Sequence, residues 1–124
     1  MRASEKSQPQ AAAVLGKALV RAAQTLGLSQ AEVAFVLGTS KASISRTFSG
    51  ERGLDPASAE GRNALLFVRV FRSLDALVGG NAEKARLWLY ARNRHLDAAP
   101  ARLLATTQGL VHVADYLDAL RGTL

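Results

Sequence analysis

Few side chains in this 124-residue sequence are placed to do covalent chemistry. His95 and His112 are its only histidines, and no carboxylates join them at metal-ligand spacing. His112 and Asp115 lie at i and i+3 on one helix, a surface pair and not half of a triad. Cysteine is absent, which removes a disulfide scaffold, a thiolate zinc site and a thiol nucleophile together. Gly79-Gly80 follows a helical pattern, not a strand, and no phosphate-cradling GxxxxGKS/T run exists. The reading is a protein without catalysis, metal or cofactor. What the sequence offers is non-covalent chemistry. Lys41, Ala42, Ser43, Ser45 and Arg46 gather cations, hydroxyls and a methyl group in one short segment, with no acid between Glu32 and Glu51. Cations neutralise phosphate and release counterions, while hydroxyl and guanidinium groups hydrogen-bond base edges.

The whole chain carries 16 Lys and Arg against 10 Asp and Glu, a net charge of +6. Divided after Arg62, each half holds 8 basic and 5 acidic residues, so no charged tail exists. An even excess of this kind suits a polyanionic partner without demanding one. The length fits one domain, or two small lobes sharing a core. No apolar run approaches the roughly 20 residues that span a bilayer, and no signal-peptide pattern opens the chain. A soluble, cytoplasmic protein with no membrane contact is expected.

The elements that must carry the segment 41–46 are helical. No stretch alternates apolar and polar residues over several positions, so the expected class is all-α. A polar opening over residues 1–10 reads as a flexible N-terminus. Leu15, Leu19, Ala22 and Leu26 then form one stripe of a helix over Ala11 to Leu26, closed by Gly27. Ser29 and Glu32 form a capping box for a helix from Gln30 to Leu37, and Ser40 caps a third over Lys41 to Phe48. The turn-rich stretch from Gly50 to Pro56 reads as a linker between lobes.

Beyond it, a connecting helix over Ser58 to Val78 buries Phe67, Val70, Phe71, Leu74, Leu77 and Val78 and turns Arg62, Arg69 and Arg72 to solvent. Gly79-Gly80 ends it and Asn81 caps a helix over Ala82 to Arg92. A loop over 93–99 precedes a short helix from Pro100 to Thr106. Gly109 opens a last helix, with Leu110, Val113, Leu117 and Leu120 inward and Gly122 as its C-cap. The domain division expected is 1–10, 11–57, 58–80 and 81–124.

Residues 30–50 also meet the geometric demands of a helix-turn-helix. Ala34 gives the small inward residue, Gly38 the turn residue tolerant of positive φ, and Ile44 the apolar residue packing between the helices. Thr39 and Thr47 stand where apolar residues are usual, and Phe48 is expected to pack in place of Thr47. An ordinary αα-hairpin shares the glycine turn. The acid-free, slim outer face of the second helix favours entry into a major groove about 12 Å wide.

Leu28-Ser29-Gln30, Val33-Ala34, Leu37-Gly38, Ser40, Ile44-Ser45-Arg46 and Gly50 resemble the Xre-type, lambda-repressor-like helix-turn-helix. The resemblance implies that Gln30 donates to a phosphate and Ser40 grips the DNA backbone. It also implies that Lys41, Ala42, Ser43 and Arg46 face base edges. An arginine in the groove prefers guanine O6 and N7. One short recognition helix reads too few bases for specificity, so a homodimer on two half-sites is expected.

A second pattern runs through Trp88, Leu89, Asn93, Leu96, Pro100, Leu103-Leu104, Thr106-Thr107, Gly109, Val113, Leu117, Leu120 and Gly122. It resembles the toxin-binding C-terminal domain of the Xre/MbcA/ParS antitoxins, the partners of RES-domain toxins. Asp97-Ala98-Ala99 departs from the family, whose members often carry Gly-Gly there. The resemblance implies an antitoxin of a type II toxin–antitoxin system that inhibits a co-encoded, NAD⁺-depleting RES toxin and represses its own operon at operator DNA. Trp88, Asn93 and Leu96 would meet the toxin, and Arg121, Gly122, Thr123 and Leu124 would reach its active-site cleft. Trp88, Leu89, Leu103, Leu104, Val113 and Leu117 fit a core better than an interface, since large apolar residues mostly pack inward, and Trp88 can serve as both. A stand-alone Xre-family repressor whose C-terminal half only dimerises is the other reading, followed by an interaction protein that has lost DNA binding.

Overall fold

The computed structural model describes residues 2–122, with side chains from Pro9 onward. Among the described residues seven helices follow one another: α1 (Arg2–Leu26), α2 (Gln30–Leu37), α3 (Lys41–Ser49), α4 (Ala59–Leu77), α5 (Ala82–Tyr90), α6 (Pro100–Leu103) and α7 (Thr107–Gly122). The described residues form no strand beyond an isolated bridge between Asn93 and Ala98. The class is all-α, as its periodicity predicts.

Helix starts and stops are set by local chemistry. Ser29, Ser40, Ser58 and Asn81 each accept the backbone N–H three residues on, satisfying an orphan donor of α2, α3, α4 and α5 in turn. Gly27, Gly38 and Gly50 take left-handed φ values of 76°, 69° and 83° after α1, α2 and α3.

Some boundaries differ from expectation. α1 begins at Arg2, not Ala11, and continues through Pro9, which removes one backbone donor without breaking the helix. α5 ends at Tyr90 and α6 spans only Pro100–Leu103. α7 starts at Thr107 because the Thr106 hydroxyl accepts the Gly109 N–H at 3.0 Å. Gly122 is the last helical residue of α7, with no positive φ, and so is not a left-handed cap.

The stretch from Gly50 to Pro56 is not a linker between lobes. Leu54 is fully buried and donates its N–H to the Ala12 carbonyl of α1 at 3.0 Å. Gly53 lies so close to α1 that a Cβ there would stand 2.5 Å from the Ala12 carbonyl carbon. Both halves therefore build one core, joining Leu19 and Leu26 of α1, Ile44 of α3, Phe67 of α4, Leu89 of α5 and Leu117 of α7. α4 is its spine, packing most extensively on α7 and then on α1. Its buried stripe includes Val68 and Ser73, while Phe71, Leu77 and Val78 are only partly covered. Arg86 of α5 adds a bond of 2.8 Å to the Thr25 carbonyl in the last turn of α1.

Candidate nucleic-acid interface

The α2–α3 unit is assembled from short-range bonds and a small apolar contact set. Ser29 accepts the Glu32 N–H at 3.1 Å and Glu32 accepts the Ser29 N–H at 2.8 Å, completing the capping box. Val33, Ala34, Leu37 and Ile44 are buried between the helices. Thr47, not Phe48, fills the second inward position of α3: it is buried, with its hydroxyl donating to the Ser43 carbonyl at 3.1 Å. That bond satisfies the polar atom, which is why a threonine serves where an apolar residue is usual.

The outer face of α3 presents Lys41, Ala42, Ser45 and Arg46 to solvent, with Ser43 half-buried beside them. Ser40 accepts the Ser43 N–H at 3.1 Å and donates its hydroxyl to Ser43 Oγ at 2.9 Å. Arg46 donates to the same oxygen at 3.3 Å. Four of the predicted DNA-facing residues, Ser40, Lys41, Ser43 and Arg46, thus stand within the first turns of one helix, next to Ala42. Gln30 is half-buried at the start of α2. The arrangement can hold phosphate through Lys41 and aim a guanidinium at base edges.

Behind α3 lies a set of contacts that sequence reading missed. Arg52 donates through Nε to the Ser43 carbonyl at 3.1 Å, and its two terminal nitrogens grip Glu60 of α4 at 2.8 and 3.0 Å. The Arg52 guanidinium holds the Glu60 carboxyl below the usual glutamate range, outweighing burial, with the Thr39 side chain acting in the same direction. One turn along α4, the Asn63 amide donates to the Val36 carbonyl at 3.4 Å and accepts the Thr107 hydroxyl at 2.9 Å. The sequence signal was present but weak: two threonines at apolar positions.

The predicted partner-facing residues of the C-terminal half fare differently from one another. Trp88 is half-buried and stacks on Tyr116, ring centroids 6.4 Å apart at 17°, with His95 against the same tyrosine at 6.0 Å. Asn93 is spent on the loop, accepting the Leu96 N–H at 3.0 Å and donating its own N–H to Ala98. Leu96 is a core residue, 8% exposed, and presents no contact surface; the loop around it turns its side chain inward. Asp97 takes the left-handed φ of 56° and pairs with Arg92, doing with a side chain what a glycine does by lacking one.

Arg121 donates to Ser73 of α4 at 3.1 Å and Gly122 is exposed; Thr123 and Leu124 lie outside the described residues. Arg69 is not simply solvated, because it pairs with Asp118 at 2.5 Å and Asp115 at 3.2 Å on α7. The large apolar residues that do face solvent on α5 are Leu87 and Tyr90, 66% and 45% exposed, beside Phe35 of α2 at 71%. Phe35 and Tyr90 line a shared groove of about 360 Å³.

A larger cleft of about 780 Å³ between α1, α4 and α7 carries Val14, Leu65 and Arg72. Among the described residues no group of His, Cys, Asp or Glu is placed to hold a metal ion, and no helix is long and apolar enough to cross a membrane.

Residues 5–69 match the antitoxin Xre-like helix-turn-helix domain, and residues 73–122 match the antitoxin Xre/MbcA/ParS C-terminal toxin-binding domain. The two matched stretches meet inside α4. No curated protein matches the chain.

Proposed function

The chain belongs to the Xre-like helix-turn-helix antitoxins, and from that premise we propose that it neutralises a co-encoded, NAD⁺-depleting RES-domain toxin and represses its own operon. Toxin binding and DNA binding are the properties of its two matched domains. The observation that carries the reading is their juxtaposition. An acid-free recognition helix with Lys41 and Arg46 outward shares one core with a toxin-binding domain that exposes Leu87 and Tyr90.

On DNA, Gln30 and Ser40 hold phosphate while Lys41, Ala42, Ser43 and Arg46 read bases. The nine residues of α3 cover only a few base pairs, so the antitoxin acts as a homodimer on half-sites roughly 34 Å apart. Against the toxin, Trp88 contributes its exposed edge beside Leu87 and Tyr90. Residues 121–124 enter the toxin's active-site cleft and occlude it. Asn93 and Leu96 act by shaping the loop.

The test is growth and cellular NAD⁺ after inducing the adjacent reading frame, alone and together with this chain. Collapse of NAD⁺ with the neighbour alone, and rescue on co-expression, is the expected result. Absence of toxicity from either neighbour would overturn the RES assignment and leave a small repressor whose C-terminal half dimerises.

A further inference from the structure

Arg52 follows the recognition helix by three residues and is a cation, so position alone would make it a phosphate contact. Its surroundings argue otherwise. All three donor groups of its guanidinium face inward: Nε bonds the Ser43 carbonyl at 3.1 Å, and the two terminal nitrogens bond the Glu60 carboxylate at 2.8 and 3.0 Å. Its side chain is 29% exposed and that of Glu60 is 21% exposed, so the pair is half-screened from water.

The two threonines that break the usual apolar pattern both feed this site. Thr47 donates to the same Ser43 carbonyl at 3.1 Å, and Thr39 lies near enough to Glu60 to help hold its carboxyl below the usual range. The backbone adds to it, since the N–H groups of Glu51 and Arg52 both donate to the Arg46 carbonyl, at 2.9 and 3.2 Å. The residues held are therefore Ser43 and Arg46, two of those that face base edges in the reading above. The anchor is the first turn of α4, the spine of the fold.

We infer that Arg52 is a positioning residue for DNA reading: its fork to Glu60 and its bond to Ser43 set the pose of α3 against α4, and it neutralises no phosphate. Planar bidentate pairing fixes orientation as well as distance, which a lysine's point charge does not. A recognition helix whose side chains must meet base edges within a few tenths of an ångström loses specific contacts when its seat loosens. Phosphate attraction, being long-range and geometrically tolerant, survives.

This inference rests on the DNA-binding reading, and the experiment separates the two. The full chain is titrated with a duplex from the region upstream of its own reading frame and with a random duplex of equal length, over a range of salt concentrations. Arg52→Ala is expected to weaken the upstream duplex by about tenfold or more, while random-duplex affinity and the salt slope stay as in the wild type. Arg52→Lys keeps the charge and is expected to show the same loss, which covers the case in which the alanine variant fails to fold. Exchanging the pair, Arg52→Glu with Glu60→Arg, is expected to recover part of the preference.

A salt slope reduced by about one in Arg52→Ala would make Arg52 a phosphate contact and overturn the inference. Full upstream preference in both single variants would overturn it as well. A wild-type chain with no preference for the upstream duplex would instead remove the DNA-reading premise, and the inference with it.

Discussion

The Thr107 hydroxyl donates to Asn63 Oδ1 at 2.9 Å, joining the first turn of α7 to α4. Asn63 lies within the helix-turn-helix match and Thr107 within the toxin-binding match. The other end of the Asn63 amide reaches the Val36 carbonyl of α2. Two domains that are separate as sequence families are thus tied by one side chain and share one core.

A shared core predicts one cooperative unfolding transition. Trp88 is the single tryptophan and reports the C-terminal half, whereas far-UV circular dichroism reports all seven helices. The two signals are expected to give the same urea midpoint. Separate midpoints would mean two independent lobes. Asn63→Ala is expected to lower stability by about 1 kcal/mol while keeping the single transition.

Glycines that look equivalent in sequence should differ sharply. A Cβ on Gly61 would stand 1.8 Å from the Asp55 carbonyl oxygen, and one on Gly109 would stand 1.7 Å from that of Leu103. Backbone must move to admit either, so Gly61→Ala and Gly109→Ala are expected to cost more than about 2 kcal/mol. Gly122, helical with nothing near its Cβ position, should tolerate alanine at no cost or with a small gain. Thermal midpoints of the three variants check the order.

Acid should remove the contribution of the Glu60 pair. Its carboxyl is held below its ordinary value by the hydrogen bond from Arg52. A depressed folded-state value means stability that is complete above the unfolded-state value and is lost as pH falls through the folded one. The thermal midpoint of the wild type should exceed that of Glu60→Gln at pH 7. The gap should narrow as pH falls below the unfolded-state value and vanish only once pH has passed the folded one. A gap independent of pH would show that ionisation is not its source.

If the exposed Arg46 guanidinium reads base edges as proposed, Arg46→Ala should weaken binding to the upstream duplex by roughly 1–3 kcal/mol and random duplex far less. Fluorescence anisotropy with both duplexes measures the difference. Equal losses would reduce Arg46 to a phosphate contact.

Deleting Thr123 and Leu124 should leave the thermal midpoint unchanged and impair rescue of cells expressing the toxin. Leu87→Glu on the exposed face of α5 should impair it too, by burying a charge in an apolar contact. Full protection by the truncated chain would exclude occlusion by the tail.

Local interactions were legible in the sequence. Ser29 with Glu32, Ser40 with Ser43, and Gly27, Gly38 and Gly50 act across one turn or less, so residue type and spacing are enough to place the C-terminal end of α1 and both ends of α2 and α3. The outer face of α3 follows from the same periodicity, since what packs inward at Ile44 defines what points outward at Lys41 and Arg46.

Tertiary structure alone decided the rest, because those contacts form between segments that periodicity describes one at a time. Arg52 meets Glu60 over 8 residues and Arg69 meets Asp118 over 49, and each arginine taken alone reads as a solvated cation. Trp88 and Leu96 carry the pattern of the toxin-binding domain. Yet the crossing of α5, α7 and the loop half-buries the first, buries the second and leaves Leu87 and Tyr90 outside. The turn-rich stretch around Gly53 and Leu54 has the composition of a linker, and only its docking against Ala12 makes it part of the core. Which apolar residue is covered depends on what lies across from it, and that partner is fixed by the packing of distant helices.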